Sequence, residues 1–275
     1  MIPVFRRLAL GLAAAGTLAA SAASAQDAPR ARVTLERIRS AWCMDFLAEP
    51  GELAKLMPKG WTGAPATAVP DIPAPFRITM EEDPRYAAWV PSRVCLVAFG
   101  AVSVNGDEAD DDSERKPMAL AWWQVSARPD SGTKVAPLIT MLASNSYKVR
   151  NPLGRLGLAL DDMGFEMGPK ARSQDPTQNG FQVKLAGATL FWKGYLSIDS
   201  TLGTGRRTFE ASVGNQTKPW SAIGWLEVAG GSRVAGVVGV MGKSDLGKML
   251  DRSPIRIMSP VGTGGTGDFS FDRLE

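Results

Sequence analysis

The sequence predicts a mostly β (α+β) fold, an antiparallel barrel-like single domain with a few short helices. Three observations predict it. Short apolar, β-compatible runs recur along the chain with turn-rich links between them, while long helical periodicity is scarce. Glycine is abundant, at 29 residues, as suits strands with bulges and close backbone approaches. The run Met118-Ala-Leu-Ala-Trp-Trp123 is apolar at every position. A strand there has two faces to cover, and a closed wrap covers both while leaving no free edge.

The first 25 residues read as a cleavable export signal, with residues 26–275 as the single domain. Arg6 and Arg7 form the charged start, an apolar stretch runs from Leu8 to about Ala20, and Ala23-Ser24-Ala25 supplies the small residues of a cleavage site. That stretch is shorter than the roughly 20 residues needed to cross a bilayer, so no membrane span is expected in the mature form. The implied location is periplasmic or secreted. Cys43 and Cys95, the only cysteines, would then meet an oxidising compartment and form one disulfide; two buried thiols packed as small apolar groups are the alternative.

Beyond the leader, Val33–Ile38 and Ala41–Phe46 read as two strands. Glu49–Met57 reads as a short helix that Pro58 stops, and the proline-rich stretch Gly60–Pro75 as an irregular loop. Strands are expected at Phe76–Met80, Val94–Val104, Met118–Ala127, Val135–Leu142, Phe181–Leu185, Ala188–Ile198, Arg207–Val213, Ala222–Val228 and Val234–Met241. A helix is expected in Leu153–Met163, and one more turn in Asp245–Leu250.

Composition removes whole classes of chemistry. The chain has no histidine, so Ser-His-Asp and Cys-His nucleophile sites and His-ligated metals are excluded. Lys plus Arg number 31 against 28 Asp plus Glu, which leaves no electrostatic footprint for nucleic acid. Neither a metal nor a cofactor is implied. Two glycine patterns dissolve on spacing: Gly236–Ser244 has one residue too many for a P-loop. Gly262-Thr-Gly-Gly-Thr-Gly267 is followed by the chain end rather than a helix, and reads as a flexible loop. The acidic run Asp107–Glu114 reads as a solvated hairpin loop rather than a calcium loop.

Two features remain as candidate chemistry. The eight tryptophans either fill a core or line a pocket for an apolar ligand. Trp122, Trp123 and Trp192 are the ligand-binding candidates, and Trp122 and Trp123, adjacent in a strand, point to opposite faces. The polar segment Ser144–Pro152 carries Lys148 and Arg150, which share a face if the segment is a strand. A neighbouring cation in an apolar cavity would poise Lys148 to attack a carbonyl; Ser144 or Ser146 with Lys148 could instead form a Ser/Lys pair.

Glu49-Pro-Gly-Glu-Leu53-Ala-Lys-Leu56-Met-Pro58-Lys-Gly60, with the strand order that follows it, resembles the early part of acetoacetate decarboxylase-like proteins. The resemblance implies a closed, mostly antiparallel barrel around a hydrophobic cavity. Where catalysts of that family carry Gly-Arg-Glu and Pro-Lys-Lys, this chain has Leu142-Ala143-Ser144 and Tyr147-Lys148-Val149-Arg150. Only Lys148 as imine-forming residue and Arg150 as neighbouring cation carry over. The expected function is therefore an exported protein binding a small apolar or carbonyl-bearing molecule. An imine-forming lyase acting on a keto acid or aldehyde, and a structural or assembly role in the cell envelope, are the alternatives.

Overall fold

The computed structural model describes residues 30–274 except 111–116, 168–177, 186, 199–204, 215, 217, 229 and 259–260. The expected export signal lies outside the described residues, as does the second half of the acidic run. In chain order the elements are β1 (Arg30–Ala48), α1 (Pro50–Ala54), β2 (Trp61–Gly63), α2 (Ala74–Glu82), β3 (Val90–Val104), β4 (Asp107–Asp110), β5 (Met118–Pro129) and β6 (Ala136–Ser144). Next come α3 (Tyr147–Arg155), β7 (Asp161–Asp162), β8 (Gly164–Met167), β9 (Gln178–Leu185), β10 (Ala188–Ile198), β11 (Gly205–Val213), β12 (Trp220–Val228) and β13 (Gly230–Met241). The chain finishes with α4 (Asp245–Arg252), β14 (Arg256–Met258), β15 (Val261–Thr263) and β16 (Thr266–Arg273).

The class is the expected one, mostly strand with short helices, but the sheet is a ring with an arm rather than a clean barrel. The ring runs β1–β3–β5–β6–β11–β12–β16 and returns to β1. Its seam is a short parallel contact in which Ser212 and Val213 of β11 face Leu138 and Ile139 of β6. From the second half of β1, beyond its pairing with β16, an arm continues through β15, β13, β10, β9 and β8.

Two cores explain the strand patterns. Inside the ring lie Val33, Leu35, Val97, Phe99, Leu120, Trp122, Val213, Trp220, Phe269 and Phe271. Behind the β1–β3–β5 wall, Trp42, Met44, Leu96, Ala121 and Trp123 pack in a second core with Val183, Leu185 and Leu190 of the arm and Leu246, Met249 and Leu250 of α4. β5 is apolar at every position of Met118–Trp123 because both of its faces are covered. Helix α3 buries Val149 and Leu153, one turn apart, in the ring core.

The structure corrects several expectations. The two strands read at Val33–Ile38 and Ala41–Phe46 are one, joined through a register shift between Ile38 and Ser40 with Arg37 at φ 52°. That irregularity re-phases the alternation, so Leu35, Ile38 and Ala41 all reach the ring core. Phe76–Met80 is helix α2, not a strand: Phe76 and Met80 are four residues apart on one helical face and pack in a third small core, while Ile78 is exposed. Gly60–Pro75 is not wholly irregular, since it holds β2 and a 3-10 turn at Ala66–Ala68. The helix read at Leu153–Met163 begins at Tyr147 and ends at Arg155. Gly262–Gly267 is no flexible loop: β15 and β16 both run antiparallel along the same edge of β1. Between them Gly264 and Gly265 take positive φ, 71° and 89°, a kink that glycine tolerates, with the Gly264 N–H donating to the Ile38 carbonyl and the Ile38 N–H to that of Gly265. Asp107–Asp110 is paired with β3 as strand β4.

Candidate functional site

The antiparallel register of β1, β3 and β5 stacks their ring-facing side chains into rungs. Cys43 faces Cys95, and Cys95 faces Trp122. One step along, Asp45 faces Arg93, and Arg93 faces Gln124. The two cysteines form a disulfide, so the paired alternative holds and the two-thiol alternative does not.

Above these rungs the ring encloses a pocket of about 130 Å³. Cys43, Cys95, Trp122, Phe209, Phe269, Leu226 and Val228 supply its apolar walls, and Arg93, Gln124 and Thr208 its polar groups. Trp122 stacks on Phe209 with centroids 5.6 Å apart, Phe269 meets Trp122 edge-on at 5.9 Å, and the two phenylalanines are 5.1 Å apart. These rings hold one another in offset and edge arrangements, which gives the wall a fixed shape. At the rim, Arg93 donates from Nε and Nη2 to the two carboxylate oxygens of Asp45, at 2.6 and 3.1 Å. The Asp45 side chain is only 14% exposed and that of Arg93 44%. The pair is thus a bidentate clamp in which the carboxylate is more sheltered than the guanidinium.

The sequence-derived candidates are scattered. Trp122 lies in the pocket wall. Trp123 faces the second core, and its indole N–H is buried without a partner among the described residues. Trp192 belongs to β10, and its side chain lies outside the described residues. Lys148 and Arg150 sit in the first turn of α3 rather than on a strand, so they flank Val149 in different directions instead of sharing a face. Lys148 donates from Nζ to the Asp110 carbonyl at 2.7 Å and lines an open groove of about 510 Å³ with Asp107, Tyr147, Asn151 and Arg155. Arg150 pairs with Asp162 at 3.0 Å. Ser144, fully buried, donates its hydroxyl to the Ala119 carbonyl at 2.7 Å and accepts from the Ser146 N–H, so its hydroxyl braces the start of β5 instead of meeting Lys148. Among the described residues no lysine lines the ring pocket.

Arg93, Gln124, Phe209 and Phe269 of the pocket wall, with Asp45 as the partner of Arg93, are residues that a reading of the sequence alone overlooks. The signal was the register: an antiparallel bridge between Cys43 and Cys95 places Asp45 opposite Arg93 automatically. Among the described residues no three carboxylates or cysteines gather as a metal site.

No family model and no curated protein matches the chain. Among solved structures it is similar to acetoacetate decarboxylase from Legionella pneumophila subsp. pneumophila str. Philadelphia 1, at 7% identity and TM-score 0.48, over 88% of this chain and 87% of that one. It is similar also to an acetoacetate decarboxylase-like enzyme from Sphingomonas wittichii RW1, at 11% identity and TM-score 0.42, over 90% and 94% of the two chains. The enduracididine biosynthesis enzyme MppR complexed with pyruvate matches at 8% identity and TM-score 0.40, over 92% and 90%. At these identities and TM-scores the likeness says nothing of chemistry.

Proposed function

We propose that this chain is an exported small-molecule-binding protein that holds an apolar or carbonyl-bearing ligand inside the strand ring without forming a bond to it. The observation that carries this reading is the ring pocket, an aromatic and disulfide wall with a few polar groups at one rim, the usual composition of a ligand site. An apolar cavity of about 150 Å³ takes up benzene, so a pocket of about 130 Å³ suits a ring or short branched chain of similar size. Export is supported by the Arg6–Ala25 leader and by the disulfide, which persists in oxidising compartments. Among the described residues no helix is long and apolar enough to cross a membrane.

Titration with small aromatic and aliphatic aldehydes, ketones and amides, followed by tryptophan fluorescence, tests the reading. Saturable quenching that weakens in Trp122→Phe is expected. A flat response across the panel, with a crystal structure showing the ring filled by side chains, would overturn it.

An imine-forming lyase is the second reading, favoured by the open groove that leaves the Lys148 amine accessible. Against it, the groove is open and Arg150, the expected neighbouring cation, turns to Asp162. Borohydride trapping with keto acids separates the two readings: a substrate adduct mapped to Lys148 and lost in Lys148→Ala selects the lyase.

A further inference from the structure

We infer that the Arg93–Asp45 pair makes the ring pocket selective for a neutral carbonyl group, and that Asp45 is the specificity-determining residue that turns carboxylates away. The inference rests on the small-molecule reading of the pocket and names the chemistry of its ligand's polar end.

Arg93 is the one charged side chain among the described residues that line the pocket. Alone, a guanidinium at the rim of an apolar cavity would be a carboxylate receptor, since its fork matches two carboxylate oxygens. Here that role is already filled. Asp45 sits on the adjacent strand directly opposite Arg93, takes the Nε and Nη2 donors, and is the more sheltered of the two. Two of the five N–H bonds of the guanidinium are engaged in this way, and the other three have no partner among the described residues, which leaves them for a ligand in this proposal. The pair as a whole is neutral.

A ketone, aldehyde or amide oxygen can accept from these remaining donors with no uncompensated charge entering the pocket. A carboxylate would have to lose its hydration beside apolar walls, with Asp45 already neutralising the one cation among the described lining residues, so the rim would carry a net negative charge. Gln124, the next residue of the same rung, offers an amide that both donates and accepts, a match for a neutral amide or carbonyl group. Selection in this site is a difference between two affinities, and the repulsive element is built in next to the attractive one.

Benzamide and benzoate test this, being nearly identical in shape and different in charge. Calorimetric titration of the wild-type protein at neutral pH is expected to show benzamide binding at least about tenfold more tightly than benzoate. In Asp45→Asn the guanidinium is released, and the ratio shifts at least about tenfold toward benzoate. Benzoate binding the wild type as tightly as benzamide overturns the selectivity while leaving the small-molecule reading standing, as does an unchanged ratio in folded Asp45→Asn. The wild-type comparison decides the matter even if that variant does not fold. Binding of neither probe overturns the selectivity and speaks against the pocket reading with it.

Discussion

The pocket owes its shape to a missing side chain as much as to those present. Gly224 on β12 faces Phe209 on β11, and a Cβ there would lie 2.6 Å from a Phe209 ring atom and 2.8 Å from the Asp268 carbonyl oxygen. The ring is held between Trp122 and Phe269, and the carbonyl belongs to a sheet strand, so neither has room to give. Gly224→Ala is therefore expected to cost about 1–3 kcal/mol and to weaken ligand binding by pushing Phe209 into the pocket. Urea unfolding midpoints measured beside a fluorescence titration check both effects; an unchanged midpoint would show that β12 relaxes. None of this was readable from residue types: the sequence shows Phe209 and Gly224 as an ordinary strand residue and an ordinary glycine, and only the β11–β12 register brings them together. Trp122 was legible as a pocket candidate because an adjacent tryptophan pair in a strand must divide between two faces. Its neighbour Trp123 faces the second core, a side that alternation alone does not identify, since it says that two faces differ but not which one is hollow.

The pairing of β1 with β3 is the longest in the molecule, and the Cys43–Cys95 bridge sits inside it. Closing a loop with a sequence separation of 52 stabilises the fold by about 4 kcal/mol if the bridge acts through the unfolded chain. A Cys43→Ala, Cys95→Ala double variant is expected to lose much of that, read as a lower urea midpoint that reductant no longer shifts. A wild-type midpoint indifferent to reductant would contradict it. Helices α1 and α4 are joined by Arg252, which donates to Glu49 at 2.8 Å and to Glu52 at 3.4 Å. The hydrogen bond from Lys55 holds the Glu52 carboxyl below its ordinary range, and Arg252 adds to the effect. A carboxyl lowered on folding contributes stability that is present above the unfolded value, about pH 4.3, and is lost as pH falls through the folded value. Glu52→Gln should flatten that acid limb slightly, the pair being at the surface; a limb as steep as wild type places the titration elsewhere. Strand positions were legible wherever two covered faces produced continuous apolar runs, as in β3 and β5. They failed where one spacing serves two structures: apolar Phe76, Ile78 and Met80 satisfy a period of two, but Phe76 and Met80 also share a helical face, and the prolines at 73 and 75 favour a helix start over a strand.

β1 ties the molecule together because it belongs to both of its parts. Along one edge it pairs with β3 for most of its length. Along the other edge it meets β16 first, then β15, then β14, so the ring closes on its first half and the arm departs from its second. The sequence pointed to a barrel-like wrap but not to this sharing, since no local pattern says that one strand will serve two sheets. The consequence is energetic. The arm buries Val183, Leu185 and Leu190 against the back of the ring wall, so separating them would expose two apolar surfaces at once, at about 25 cal/mol for each Å² uncovered. Ring and arm are thus expected to unfold as one cooperative unit. Far-ultraviolet circular dichroism, which follows all strands, and tryptophan emission, weighted toward the ring wall by Trp42, Trp122, Trp123 and Trp220, should give coincident urea transitions with one midpoint. Two resolved transitions would mean that the arm is held by β1 alone and that the second core contributes little to joining it to the ring.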